Sequence, residues 1–355
     1  MTRRRTRSPE GTRVGRTHFI TIAAAVIVTL PLFACGGGGG SATTIPSGAP
    51  ASARKLRVVT SVAPLTNIVL NVGGDRITLE GIIPDGVDSH TFEPSPQNAI
   101  TLSKADVFIM NGAHLEGSGE KIANENMRDS TKIYKLADST YTGDDDRTGF
   151  LYDFSFPKAE GDPNPHLWMS PRNAGRYAEL VAGWLSVNDP GNKTYYDGNL
   201  AAFVAVIDKL DAAIRTASAT VPTEQRKLVT YHDSWAYWAR EYGWTVIGAI
   251  QPSDFEEPSA KEVAELIDQI KAEHVKAIFG SEVYPSPVTE QIARETGATF
   301  VDSLRDDEPP GDAGAPGHTY VGMLVKDMHD MIRALGGDSS ATDAVPVENT
   351  YPRGP

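Results

Sequence analysis

The chain alternates short apolar runs rich in β-branched residues with segments whose apolar residues recur at helical spacing. The first pair is the strand-like run 56–61, followed by a helix from about Pro64 to Gly73-Gly74. A strand over 76–83, a helix from Pro96 to about Lys104 and a strand over 106–110 continue the pattern. This alternation predicts an α/β fold with mostly parallel sheets and helices on both faces.

The middle of the chain is helical. One amphipathic helix follows Pro171, and Asp189-Pro190 opens a longer one to about Ser218. Its apolar residues form a single stripe: Leu200, Phe203, Ile207, Leu210 and Ile214. At about 1.5 Å per residue this helix is roughly 40 Å long. We expect it to join two lobes as a rigid linker.

After Pro222 the strand and helix alternation resumes. Strands are predicted over 227–231, 244–250, 277–279 and 298–301. Helices are predicted from His232, from a capping box of Ser259 and Glu262, and over 320–335. The sequence therefore predicts an N-terminal α/β lobe over 55–188, a linking helix over 189–221, a C-terminal α/β lobe over 222–336, and a disordered tail over 337–355.

The N-terminal residues have the pattern of an export signal. Six arginines precede an apolar run from Phe19 to Leu32, which is too short to span a membrane comfortably. Leu32-Phe33-Ala34-Cys35 resembles the lipobox of bacterial lipoproteins, which implies that 1–34 are removed and that Cys35 is lipidated. The alternative is an ordinary signal or anchor helix with an incidental cysteine. Residues 35–54 predict a flexible tether, and hence a body anchored by lipid outside the cell membrane.

Composition limits the chemistry. The chain of 355 residues is 40% hydrophobic and 22% charged, as is typical of a globular protein with room for two domains. Cys35 is the only cysteine, so an intramolecular disulfide and a second thiolate are both excluded. Removal of 1–34 takes away six arginines and one glutamate, and the formal charge falls from −13 to −18. This strongly negative charge argues against binding to nucleic acid and suits a cationic ligand.

Three histidines and one aspartate follow predicted strands or stand in stiff loops. His90 and His166 lie in proline-bounded loops just before the helix starts Ser95-Pro96 and Ser170-Pro171. His232 and Asp302 each follow a strand of the second lobe. Ligands of open α/β sheets bind at the carboxyl ends of strands. Three imidazoles and one carboxylate form a four-coordinate set that a divalent transition metal accepts.

Four segments containing these residues look like the signature segments of the zinc- and manganese-binding solute receptors of bacterial ABC importers. They are 87–94, 164–168, 231–237 and 301–304, and the resemblance covers about 55–336. It implies two α/β lobes on one long helix, a metal between them held by His90, His166, His232 and Asp302, and delivery to a membrane permease. Two positions depart from the family. It often has Asp-Pro-His where this chain has Asp88-Ser89-His90, and again where this chain has Asn164-Pro165-His166. The chain also lacks a histidine-rich loop between 138 and 163.

Several alternatives stay open. Three imidazoles favour Zn²⁺ over Mn²⁺, but a manganese or iron receptor is an alternative. An extracytoplasmic metallohydrolase is a remote one, because the sequence lacks His-Glu-x-x-His and Gly-x-Ser-x-Gly; we expect no enzyme activity. An adhesin role is a further alternative. His114 and Glu282 follow strands and are candidates to support or supplement the ligands. We expect a monomer.

Overall fold

The computed structural model describes residues 54–141, 149–152, 162–251, 258–281 and 287–351. The predicted signal, Cys35, the tether up to residue 53 and Glu282 lie outside the described residues. Within the described ranges, no helix combines the length and the apolar character needed to cross a membrane.

The first lobe is a parallel four-stranded sheet with helices. Its elements are β1 (Leu56–Thr60), α1 (Ala63–Gly73), β2 (Ile77–Gly81), α2 (Pro96–Lys104), β3 (Val107–Met110), α3 (Gly117–Asn126), β4 (Ile133–Lys135) and α4 (Leu136–Thr140). The strands are hydrogen-bonded in the order β2-β1-β3-β4, and every pair is parallel. The α/β prediction is confirmed here, although α3, β4 and α4 were not predicted.

Two long helices follow the first sheet: α5 (Pro171–Asn188) packs against α6 (Lys193–Thr220), and α6 leads into the second lobe. The 28 residues of α6 make it the longest described helix, about 42 Å at 1.5 Å per residue. Phe203, Ile207, Leu210 and Ile214 are buried along one side and Leu200 is partly buried against the same core, which confirms the predicted stripe. Ser170 and Pro171 begin α5 as expected, but the Ser170 side chain makes no capping hydrogen bond.

The second lobe repeats the architecture of the first. It contains β5 (Lys227–His232), α7 (Ala236–Tyr242), β6 (Thr245–Gln251), α8 (Ala260–Ala272), β7 (Ala277–Ser281), α9 (Pro287–Thr296), β8 (Thr299–Leu304) and α10 (Tyr320–Ala334). The parallel order is β6-β5-β7-β8, which matches the first sheet position by position. The capping box of Ser259 and Glu262 forms at the start of α8.

One hydrophobic core runs through both lobes. It extends from the first sheet through α5 and α6 to Leu228, Phe279 and Leu304 of the second sheet and to α10. A smaller core lies under α8 and α9. The two lobes are therefore packed against each other through α5, α6 and α10.

The prediction of a disordered tail from residue 337 is wrong for the described part. Thr342 is fully buried and Val345 nearly so. Asn349 accepts hydrogen bonds from the amides of Asn67 (3.0 Å) and Asn71 (2.9 Å) on α1. The polar composition of the tail does not reveal these bonds, since they are made by side-chain amides and not by apolar packing.

Candidate metal site between the lobes

His166 lies in a turn that is anchored from both sides. It precedes a single 3₁₀ turn over Leu167–Met169 and is 1% exposed. The carbonyl of Pro165 accepts a hydrogen bond from the Asn111 amide at the end of β3 (2.8 Å). Asn111 in turn accepts one from the hydroxyl of Tyr177 on α5 (2.7 Å). The backbone just before His166 is thus held by residues at the end of β3 and on α5.

His90 lies in the loop between β2 and α2. The carboxylate of Asp88 accepts hydrogen bonds from the backbone N–H groups of His90 (2.8 Å) and Thr91 (3.4 Å). At the far end of the loop, Ser95 and Asn98 form a capping box that begins α2. These local bonds hold the loop without help from regular structure.

His232 is the last residue of β5, at the carboxyl end of a central strand of the second sheet. It is 8% exposed, and its carbonyl accepts a hydrogen bond from the Thr230 hydroxyl (2.7 Å). The first sheet and α5 therefore supply two histidines, and the second sheet supplies the third.

The three imidazoles converge on one point. Nε2 of His166 lies 3.1 Å from Nε2 of His90 and 2.9 Å from Nε2 of His232. One nitrogen from each ring can be chosen so that all lie within 4.8 Å of one another. Zn–N bonds of 2.0–2.1 Å in a tetrahedral shell put two nitrogens roughly 3.3 Å apart. An expansion of a few tenths of an ångström would admit the ion.

Burial keeps these imidazoles neutral. It lowers the pKa of His90 and His166 well below the usual value, and the neighbouring imidazoles lower it further. Burial also lowers the pKa of His232, with Asp306 and Asp88 acting in the opposite direction. A neutral imidazole has a lone pair for a metal, so the histidines are ready to bind at neutral pH.

The depressed pKa values predict a pH dependence of the stability of the metal-free protein. Unfolded histidines titrate near about 6.5. Below that pH the unfolded chain takes up protons that the folded cluster refuses, so this contribution to the free energy of unfolding falls as the pH falls. Urea unfolding from pH 7.5 to 5.5 should show a greater loss for wild type than for a variant with all three histidines replaced by asparagine.

The triple variant is needed as a reference because buried carboxyl groups act in the opposite direction. Burial raises the pKa of Glu116 to about 7, so the folded protein holds a proton that the unfolded chain releases. Equal losses of stability in the two proteins would contradict the depressed pKa values of the cluster.

The structure does not bring Asp302 to the three histidines. Asp302 lies within β8, which continues to Leu304, and its side chain is exposed. The next acidic residues, Asp306 and Asp307, are 5% and 9% exposed. They follow the carboxyl end of the strand, where the rule for open sheets places ligands. Two features of the sequence point to Asp306 and Asp307. Leu304 lets the strand continue past Asp302, and Pro309-Pro310 ends the loop that follows the strand.

Asp306 and Asp307 lie beside the segments that carry His90 and His232, although neither carboxylate is among the atoms that lie within 4.8 Å of one another in the histidine cluster. The Ser89 hydroxyl, next to His90, donates a hydrogen bond to Oδ2 of Asp307 (2.6 Å). Oδ1 of Asp307 is buried and has no hydrogen-bond partner among the described residues. Asp306 lines a small cavity together with His232 and Trp235. Burial and the charge of Asp306 raise the pKa of Asp307 well above its usual range.

The remaining candidates do not join this cluster. His114 is exposed in the turn after β3, with a left-handed φ of 64°. It is not among the groups of potential ligands that the described residues bring together. Glu282 lies outside the described residues.

Two parallel α/β lobes on a long helix, with three imidazoles between them, define a two-lobed solute receptor. The sequence from residue 58 to 334 matches the model of one family, the periplasmic zinc-uptake complex component A. This match covers well over half of the chain, so the chain belongs to that family, and the resemblance seen in the sequence is confirmed.

Individual relatives carry the names of different metals. The iron-binding protein YfeA of Yersinia pestis is 28% identical over 289 residues, which are 80% of this chain and 88% of YfeA. The manganese ABC transporter substrate-binding lipoprotein PsaA of Streptococcus pneumoniae is 26% identical over 319 residues, covering 88% of this chain and 97% of PsaA. The periplasmic zinc-binding protein TroA of Treponema pallidum superposes with a TM-score of 0.70 at 27% identity, covering 79% of this chain and 99% of TroA. The chain is accordingly the extracytoplasmic receptor component of a metal-ion ABC importer.

Proposed function

We propose that the protein captures a divalent transition-metal ion with His90, His166, His232 and the carboxylate of Asp307, and delivers it to a membrane permease. The convergence of three Nε2 atoms from both lobes is the observation that supports this most directly. Asp307 replaces Asp302 in the proposed set, because it is buried, accepts a hydrogen bond from Ser89 in the loop of His90, and has one oxygen without a partner among the described residues.

Zinc is the proposed ion. Three of the four donors are neutral imidazoles, which suit zinc, whereas manganese is better served by a shell with more oxygen. The relatives support a divalent metal but differ in the ion that their names give: iron for YfeA, manganese for PsaA and zinc for TroA. The donor set of this chain therefore decides the proposal.

The remainder of the chain fits the same function. We propose that Cys35 carries the lipid anchor and that the glycine-rich tether holds the body at the outer face of the cell membrane. The body then consists of the lobes 55–188 and 222–336 on the linking helix, with the metal bound between them. A receptor of this kind binds and releases its ion without chemical change, so we propose no enzyme activity.

Competition binding tests the metal. At fixed pH, wild type should bind zinc more tightly than manganese, and His232→Glu should narrow the zinc-to-manganese ratio by roughly tenfold, or about 1.4 kcal/mol. The reason is that one imidazole is exchanged for a carboxylate. Metal analysis of the protein purified without added metal should find zinc.

His114→Asn is the matched control, since asparagine also accepts a left-handed φ and His114 is exposed. Its zinc-to-manganese ratio should equal that of wild type. An unchanged ratio in His232→Glu, or wild-type protein without affinity for any divalent ion, would contradict the proposal.

A further inference from the structure

The side-chain amide of Asn164 lies between two of the histidine-bearing segments. It is fully buried, two residues before His166. Its Oδ1 lies 3.1 Å from the backbone nitrogen and 3.0 Å from Nδ1 of His166. Its Nδ2 donates to the carbonyl of Asp233, the residue after His232, at 2.6 Å. One amide thus touches a ligand of the first lobe and the backbone beside a ligand of the second.

These contacts determine which way the amide points. The backbone N–H of His166 is a donor, so the atom that faces it must be the amide oxygen. The carbonyl of Asp233 is an acceptor, so the atom that faces it must be the amide nitrogen. Both requirements give the same orientation, and the amide cannot be flipped without losing both bonds.

The orientation of Asn164 fixes the tautomer of His166. Because Oδ1 only accepts, Nδ1 of the neutral imidazole must carry the proton and donate it. Nε2 of His166 is then unprotonated, and it is the atom that faces Nε2 of both His90 and His232. The lone pair is held where the metal would bind.

A second bond reinforces the link on the other side of His166. Nε1 of Trp168 donates to the backbone carbonyl of Asp306 at 2.8 Å, and Trp168 is fully buried. The residues two before and two after His166 therefore bond to the two second-lobe segments that carry His232 and the Asp306-Asp307 pair.

We propose that Asn164 is a positioning residue with two separable roles: its oxygen fixes the tautomer of His166, and its nitrogen ties that histidine to the second lobe. The inference rests on the proposed metal-binding function. Partners of this kind, which orient a ligand without touching the metal, typically account for 10- to 100-fold in affinity.

Aspartate and alanine at this position separate the two roles. A carboxylate keeps an acceptor for Nδ1 of His166 but has no N–H for the carbonyl of Asp233. Asn164→Asp should therefore keep the tautomer and lose the tie between the lobes. Asn164→Ala should lose both.

Two measurements follow these roles. In the metal-free protein, long-range ¹H–¹⁵N spectra of ¹⁵N-histidine-labelled chain report the tautomer of His166. We expect an Nδ1-protonated ring in wild type and Asn164→Asp, and a mixture of tautomers in Asn164→Ala. Zinc release to excess chelator should be several-fold faster in both variants, and Asn164→Ala should bind zinc roughly 10- to 100-fold more weakly.

Asn199 on α6 supplies the control, because its buried amide donates to the carbonyl of Val72 (3.0 Å), away from the histidines. Asn199→Ala and Asn199→Asp should leave the His166 spectrum and zinc release unchanged. The inference is overturned if Asn164→Ala keeps the wild-type tautomer, or if Asn164→Asp releases zinc at the wild-type rate. Wild-type protein that binds no zinc would instead overturn the proposed function, and with it the role of Asn164 in metal affinity. The tautomer spectrum would still test whether Asn164 fixes the tautomer of His166.

Discussion

Replacing His166 with alanine should weaken zinc binding by about 100-fold or more. Structural zinc sites with four protein ligands bind with about 10–16 kcal/mol, so one ligand contributes roughly 3 kcal/mol, which is more than a factor of 100. His166 also lies between the other two histidines, with its Nε2 within 3.1 Å of both their Nε2 atoms. Competition with a chromophoric chelator measures the loss.

His114→Asn again serves as the reference, together with a circular dichroism spectrum to show that His166→Ala is folded. The reference variant should bind zinc as wild type does, because its side chain is exposed and outside the cluster. Equal zinc affinity in wild type and a folded His166→Ala would show that the cluster is not the metal site.

Replacing Asp307 with asparagine should abolish tight zinc binding to a similar extent and, at the same time, stabilise the metal-free protein. The first effect follows from the loss of an anionic ligand, about 3 kcal/mol by the same reasoning. The second follows from burial: asparagine keeps an acceptor for Ser89 but carries no charge. Because burial disfavours ionisation of the Asp307 carboxyl group, a side chain that cannot ionise should raise the free energy of unfolding at pH 8 by roughly 1 kcal/mol.

These opposite signs distinguish a ligand from a residue that only holds the fold together. Zinc titration and urea unfolding of the same sample measure both. Asp302→Asn should change the free energy of zinc binding and the free energy of unfolding by less than about 0.5 kcal/mol each, since Asp302 is exposed. Asp306→Asn is the informative neighbour: if it loses more affinity than Asp307→Asn, Asp306 is the ligand and the proposed assignment is wrong.

The histidines were predictable from local chemistry. His90 and His166 stand in loops bounded by proline, and each is followed by a serine and a proline that begin a helix. His232 ends a strand of β-branched and apolar residues. Such signals depend only on nearby residues, and in parallel sheets the loops after the strands lie at the carboxyl ends, where ligands bind.

The aspartate was not predictable in the same way. The boundary of a strand is the least certain part of a sequence-based assignment, and β8 runs three residues beyond the predicted end at Val301. This shift moves Asp302 into the strand and leaves Asp306 and Asp307 at its end. The bonds of Asn164 were also hidden, since they join residues 69 positions apart. Helices α3 and α9 were not predicted, because each buries only two or three residues and so has a weak apolar stripe.

The folded tail changes the mechanics of the body. A single helix that joins two lobes resists bending but leaves each lobe free to rotate about the helix axis. The chain after α10 returns from the second lobe, passes along α6 and ends on Asn67 and Asn71 of the first. An attachment that lies off the axis of α6 opposes rotation of one lobe against the other about that axis. The contact therefore opposes rotation of the two halves of the metal site about the axis of α6, and we expect loading and release of the ion to involve a small tilt of one lobe against the other.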